Sequence, residues 1–319
     1  MSQSDEGSSL ETVSTPETEG PPPGGRSFSR EALRAKLREN RIKWHVLTRN
    51  RLVQVCLVFV CLLVLAAVVA PYVVPHPEDV GAAVHPQDKL QSPSLRHPFG
   101  TDELGRDLFS RVVYGTRISL TAAVVTIAIA LLIGIPLGAL AGGVGGWVDD
   151  LIMRITDVFM SFPSVMLAIA IVAFLGSSLQ NAIMAIAISW WPWYTRLLRS
   201  QAVTLRERQY VRAARAIGTP SRVIIFRHIL PNALGPCIVQ ASLDLGSVIL
   251  MLAALSFLGL GAQSPTPEWG LLVTMSRNYF LEAWWYMTFP GLAITITVLA
   301  FNVLGDGVRE VLDPRSRTY

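Results

Sequence analysis

The chain has 319 residues and a formal net charge of +4, yet only 16% of its residues are charged and 51% are hydrophobic. A soluble domain carries about 25% charged residues, and here the charges are also segregated: residues 52–77, 118–148, 158–195, 228–243, 245–267 and 283–305 contain no Asp, Glu, Lys or Arg. Because a bilayer-crossing helix needs about 20 mainly apolar residues, this distribution excludes secreted, nuclear and cytosolic-enzyme classes and predicts an all-α, polytopic membrane protein.

Residues 1–26 are rich in Ser, Thr, Glu, Pro and Gly; they can bury almost nothing and are expected to be disordered. Ser29 is placed to cap a basic amphipathic helix over residues 30–50, containing Arg30, Arg34, Lys36, Arg38, Arg41, Lys43 and Arg49. Such a helix lies at the membrane surface, as an orienting signal for the first span or as a regulatory element. The first apolar run begins beyond residue 50 and is too long for the core of a cleaved signal peptide.

The first span is expected at about 52–74, closed by Pro71, Pro75 and Pro77. A polar loop follows to about Pro98, and then Thr101 or Asp102 as N-cap of a short helix reaching Arg117, with a local Asp102–Arg106 pair. The second span is expected at about 118–141. Gly134, Gly138, Gly142 and Gly146 recur there every four residues, a small-residue stripe that lets another helix approach backbone to backbone.

The uncharged run 158–195 holds 38 residues, about 57 Å of helix and nearly twice the hydrocarbon thickness. Gly176-Ser177-Ser178 therefore divides it into a third span (about 150–175) and a fourth (about 181–199). A fifth is expected at about 236–260 and a sixth at about 284–304, opening on an aromatic anchor of Trp284, Trp285 and Tyr286. The organisation is thus an N-terminal tail with a basic helix (1–50), a first span with its outer loop (51–98), and a five-span core domain (99–319). If the N-terminus is inside, 21 of the 27 Lys and Arg face the cytoplasm and six face outward, which places both termini in the cytoplasm. This bias accounts for the positive charge without a nucleic-acid partner.

No HExxH, GxSxG or GxxxxGK[ST] pattern occurs. The five histidines are scattered along the sequence and suggest no metal site. Cys56, Cys61 and Cys237 lie in apolar runs and read as small apolar filler. No enzyme active site is indicated, and no cofactor is expected on this chain: if ATP drives its work, another chain binds it.

The distinctive segment lies between the fourth and fifth spans, where residues 196–227 carry eight arginines and one acid, Glu207. It reads as a helix over 208–217, a C-cap at Gly218 followed by Pro220, and a second amphipathic helix ending at Pro231. Ala213 and Ala214 offer a flat face for docking into a groove of a peripheral partner; the alternative is a basic loop resting on anionic lipid.

This loop, centred on about 196–231, resembles the EAA motif of permease subunits of bacterial ABC importers. Ala213, Ala214, Gly218, Leu230 and Pro231 match in register, while Arg212 replaces the motif's Glu and His228 its Ile. Three further blocks, His97–Leu120, Ser256–Gly270 and Phe289–Pro314, resemble the dipeptide/oligopeptide branch of that family. The resemblance implies a type I importer permease fold with six transmembrane helices. It also implies a homologous permease partner, cytoplasmic ATPase subunits that bind ATP and Mg, and an extracytoplasmic peptide-binding protein. Tyr210, Arg212, Ala213, Ala214, Ala216, Gly218, Arg227, Leu230 and Pro231 are then the candidate ATPase-coupling residues. Within the same machinery, nickel, glutathione or another small solute is an alternative cargo.

Asp244 is the one acid deep in an apolar run, where a charge costs about 2.5–3.5 kcal/mol on insertion scales; it should face the bundle interior, a water-filled path or a partner. An ion-coupled secondary transporter using Asp244 is the rival reading, though it leaves the EAA-like loop without a task. Asp244, Trp190 and Asn302 are the candidate path residues. Trp190, with Trp191 and Trp193, is read alternatively as interfacial anchoring, and Asp157 as an i,i+3 partner of Arg154.

Overall fold

The structure, a computed structural model, describes residues 50–312. The expected tail and basic helix before residue 50, and the chain beyond 312, lie outside the described residues. Where charge is absent the chain can satisfy its backbone only internally, and it does so as helices; among the described residues the one β feature is a single bridge between Thr101 and Asp107.

Helix α1 (Arg51–Val73) is N-capped by Asn50, whose Oδ1 accepts from the Leu52 N–H (2.9 Å). It lies against the next long helix and the last one, with most of its side chains exposed. Two 3₁₀ turns follow, Pro77–Val80 and Pro86–Asp88. Helix α2 (Leu108–Val144) is one 37-residue rod. The short helix expected from Thr101 or Asp102 is therefore corrected: it starts at Leu108 and is continuous with the second span. The cap is Asp107, which accepts from the Ser110 N–H (2.8 Å). Asp102 is engaged earlier, accepting from the Leu104 and Arg106 N–H groups (both 2.9 Å) and closing a turn that precedes the helix.

The third span also differs from expectation. It is two helices, α3 (Gly146–Met160) and α4 (Ser164–Leu175), bent by 84° at the break. Pro163 disfavours helical geometry at Phe162, so the chain turns at Ser161-Phe162-Pro163. Helix α5 (Leu179–Arg206) follows the foreseen turn at Gly176, with Ser178 as N-cap. Among the described residues, four helices are long and apolar enough to cross a membrane, α1, α2, Ser221–Phe257 and Trp284–Glu310, or five if the bent pair counts as one. Helix α5 has the length but not the composition: Gln180, Asn181 and the Trp190–Trp193 stretch dilute its apolar part, and Arg196, Arg199 and Arg206 follow in its C-terminal half.

The loop helix α6 (Gln209–Ala216) is followed by α7 (Ser221–Phe257), which is continuous through Pro231. The expected stop at Pro231 is corrected by a π-helical turn at Ile225–Ile229, in which the Leu230 N–H reaches back to the Ile225 carbonyl. Pro231 offers no N–H to the Arg227 carbonyl and its ring would crowd that oxygen; the wider turn relieves the clash without ending the helix. A short helix α8 (Trp269–Ser276), not foreseen, is capped by Glu268, which accepts from the Gly270 and Leu271 N–H groups. Helix α9 (Trp284–Leu312) closes the described chain and runs past Asp306.

The glycine stripe sets the main contact, α2 against α5. A Cβ on Gly134, Gly138 or Gly142 would lie 2.7 Å from Tyr194 Cβ, 2.6 Å from the Thr195 carbonyl and 2.6 Å from Ala202 Cβ, respectively. Gly146 departs from the stripe, with open space around it. Two ion pairs clamp α3 to the same α5: Arg199 with Asp149 (2.7 Å), and Arg196 with Asp157. The expected Arg154–Asp157 pair is thus replaced by one across helices, because the α3 face bearing Asp157 turns toward α5.

Candidate functional site

Two places bring the singled-out residues together. The first is a cavity of about 420 Å³ at the bend between α3 and α4. Phe159, Met160, Phe162 and Ser164 come from the bend, Ser189, Trp190 and Trp193 from α5, and Gln240 and Asp244 from α7. The Pro163 break opens this space, because a straight helix would present no concave wall. Asp244 is buried at 8% exposure. Tyr194 Oη donates to its Oδ2 (2.6 Å) and Gln240 Nε2 to its Oδ1 (2.9 Å). Each oxygen keeps acceptor capacity beyond its one donor, so the carboxylate is satisfied yet still competent toward a cationic or N–H-bearing guest in the cavity.

Trp190 and Trp193 supply aromatic wall, whereas Trp191 is buried and meets Phe159 edge-on at 5.3 Å. The three tryptophans therefore divide between lining and packing. Asn302 lies on an exposed face of α9 and does not line this cavity. The aromatic group at the start of α9 also differs from expectation: Trp284 is exposed, but Trp285 and Tyr286 are buried. Trp285 Nε1 donates to the Thr101 carbonyl (3.3 Å) and Tyr286 Oη to Glu103. They tie α9 to the loop before α2 and do not anchor it at an interface.

That loop is more elaborate than its sequence suggests. The expected Asp102–Arg106 pair is present at 2.7 Å with both side chains fully buried. Arg111, equally buried, approaches Asp102 at 3.4 Å and donates to the Asp79 carbonyl (2.9 Å) and the Pro265 carbonyl (3.3 Å). Buried charges persist only when paired, and these pairs join segments far apart in the chain. Nothing in local spacing announces that Arg111 reaches Pro265.

The second place is the basic loop. Helix α6 ends in a Schellman arrangement: the Thr219 N–H donates to the Ala214 carbonyl (3.1 Å) and the Gly218 N–H to the Arg215 carbonyl (3.0 Å). Gly218 sits at φ +83°. Val211 is fully buried, and with Ala214 it seats α6 on Leu198, Ala202 and the π-helical turn. Tyr210, Arg212, Ala213, Ala216 and Arg227 stay exposed. Ile217 and Phe226 stand out at 83% and 68% exposure. The two alanines of the motif thus face differently: Ala214 inward, Ala213 outward. Leu230 packs partly against the same inner cluster, and Pro231 is exposed beside the widened turn. An exposed apolar set on a basic, firmly seated hairpin is the form of a docking surface.

Residues 134–318, which contain this loop, the cavity helices α5 and α7, and α9, match the family of binding-protein-dependent transport system inner membrane components. The chain belongs to this family. Residues 27–93 match the N-terminal TM domain of oligopeptide transport permease C. The chain is 45% identical over 304 residues to the dipeptide transport system permease protein of Alkalihalophilus pseudofirmus, covering 95% of this chain and 97% of that one. It is 49% identical over 259 residues to the probable D,D-dipeptide transport system permease protein of Escherichia coli (81% and 86% covered). Identity to the glutathione transport system permease protein of Pectobacterium atrosepticum is 42% over 276 residues (86% and 91% covered). Among solved structures, the inward-facing MetNI methionine ABC transporter superposes with a TM-score of 0.52 at 22% identity, over 64% of this chain and 96% of that chain. The permease is therefore an all-α, multi-pass membrane protein with an ABC-importer permease fold, and its family is one of transport subunits, not enzymes.

Proposed function

We propose that this chain is the membrane-spanning subunit of an ABC importer for short peptides, spanning the membrane six times with both termini in the cytoplasm. ATP and Mg are bound by partner ATPase subunits, a homologous permease completes the pore, and an extracytoplasmic binding protein delivers the peptide. The observation that carries this reading is the seated α6 hairpin with its exposed Ala213, Ile217 and Phe226, on a chain whose relatives bear the names of dipeptide and glutathione permeases. A stiff hairpin rigidly joined to α7 acts as a lever: movement of a partner bound to it is passed to the helix that carries Asp244. A two-state change of this kind needs each driver to bind one state more tightly than the other.

In this reading the cavity at Asp244 is part of the path. A carboxylate beside tryptophan walls suits the terminal ammonium and varied side chains of peptides, with selection among them left to the delivery protein. Reconstituted into liposomes with its partners, the permease should drive ATP-dependent uptake of a labelled dipeptide that survives collapse of the membrane potential. Uptake that needs the potential but no ATP would establish the ion-coupled alternative, and uptake of nickel in place of peptide would reassign the cargo. Ala213→Asp, on the outward face, should lower transport and ATPase association at least tenfold while the helices still insert. Wild-type coupling in that variant would remove the hairpin from the partner interface.

A further inference from the structure

Two histidines that stand apart in sequence, His76 and His97, meet beside the N-terminus of α2, and a third, His85, joins their network through Asp79. His97 is 95% buried by side chain, with Nδ1 at 2.9 Å from Asp107 Oδ1. Asp107 Oδ2 accepts from both the N–H and the Oγ–H of Ser110 (2.8 and 2.7 Å), and the Asp107 N–H donates to Asp79 Oδ2 (2.8 Å). Asp79 Oδ1 in turn meets His85 Nε2 (2.8 Å). The carboxylates are thus locked from outside, while the second ring nitrogen of His97 is buried without any partner. The His76 ring lies 5.2 Å from the His97 ring, its backbone N–H donating to Ser110 Oγ (3.1 Å) and its Nδ1 at 3.3 Å from Glu78 Oε1. One donor atom from each of His76, His97 and Asp107 falls within 4.8 Å of the other two.

We propose that His76, His97 and Asp107 form a binding site for one transition-metal dication of the zinc class. Two imidazoles and a carboxylate are the donors such ions prefer over Mg or Ca, which take oxygen. A tetrahedral zinc site places its donors about 3.4 Å apart; the three donor atoms, within 4.8 Å of one another, reach that spacing by a modest shift in which the 2.9 Å His97–Asp107 hydrogen bond opens and gives way to the ion. Ligating side chains held by an outer layer of hydrogen bonds are the usual company of a metal; here Ser110 holds the Asp107 carboxylate, and Asp79 fixes the Asp107 backbone. Glu78, exposed beside His76, is placed to complete the shell or leave it to water. The ion would clip three segments together: the start of the Pro77–Val80 turn after α1, the 94–97 loop and the N-cap of α2. The proposal is independent of the peptide reading, since it concerns loop structure and not cargo.

The test uses the full permease complex purified on a histidine-free tag and dialysed against zinc or cobalt. The expected result is one equivalent per permease chain, a tetrahedral cobalt spectrum, and a melting temperature that rises with zinc. His76→Gln, at a partly exposed position that leaves the buried network intact, should weaken binding at least tenfold and abolish the zinc-dependent rise. His97→Gln should do the same, while His85→Gln should retain the metal. Zinc binding unchanged in His76→Gln, or no stoichiometric binding to the wild type at micromolar zinc, overturns the site.

Discussion

At Gly218 the backbone stands at φ +83°, and no atom lies within 4 Å of where a Cβ would project. A substitution there meets no steric wall; its cost is confined to the left-handed conformation, about 1 kcal/mol for most residues and more for a β-branched one, with Asn tolerated best. Gly218→Asn should therefore keep the hairpin and transport near wild type, whereas Gly218→Val should disrupt the turn and reduce transport severalfold. Thermal melting and uptake assays read the two variants, and equal behaviour would show that the turn geometry does not matter. This residue was legible in the sequence because a helix end, a Gly and a following Pro form a local signal. The division of labour between Ala213 and Ala214 was not, since it depends on where Leu198 and Ala202 of another helix stand. Asp244 was legible as an anomaly, but its satisfaction by Tyr194, 50 residues earlier, was hidden for the same reason.

At the scale of elements, periodicity gave the helices, the Gly176 turn and the end of the first span before Pro75, while the breaks at two other prolines went astray. Pro163 split a span that hydropathy alone reads as continuous, and Pro231 failed to stop a helix that could widen by one π turn. Proline forbids one hydrogen bond; whether the chain bends, widens or stops depends on what packs beside it. The glycine stripe was readable as a packing device but not its partner, because period four says nothing about which helix approaches. With α5 now assigned, the stripe makes a sharp contrast. Gly138→Ala places a methyl 2.6 Å from the Thr195 backbone carbonyl, so the pair must separate, and overpacking of this kind costs about 1–3 kcal/mol. Gly235, in α7, has nothing within 4 Å of its would-be Cβ, and Gly235→Ala should be neutral or stabilising by about 0.5–1 kcal/mol through lowered backbone entropy. Melting in detergent should show a loss for Gly138→Ala and none for Gly235→Ala; the same loss in both would mean that helix contact is not what the stripe provides.

For the whole molecule, the number of membrane crossings turns on two elements. The bent α3–α4 pair and the arginine-bearing α5 each fall short of a plain apolar rod. Crossing parity makes this decidable from three exposed or partly exposed loop positions: Gln87 after α1, Ser177 between α4 and α5, and Thr219 after α6. With six spans, Gln87 and Ser177 lie outside and Thr219 inside. If either the pair or α5 alone fails to cross, Thr219 moves to the side of Gln87; if both fail, Ser177 joins Thr219 opposite Gln87. The physical argument favours six. The arginines of α5 cluster toward its C-terminal end, where Arg196 and Arg199 are already neutralised by Asp157 and Asp149 of α3, and long Arg side chains at a helix end reach the interface readily. Were α5 to remain on one side, the basic hairpin would face outward, against the charge bias that orients membrane proteins. Single cysteines at the three positions, placed in a chain lacking Cys56, Cys61 and Cys237, should show Gln87 and Ser177 reacting with an impermeant maleimide from outside, and Thr219 reacting only after the membrane is opened.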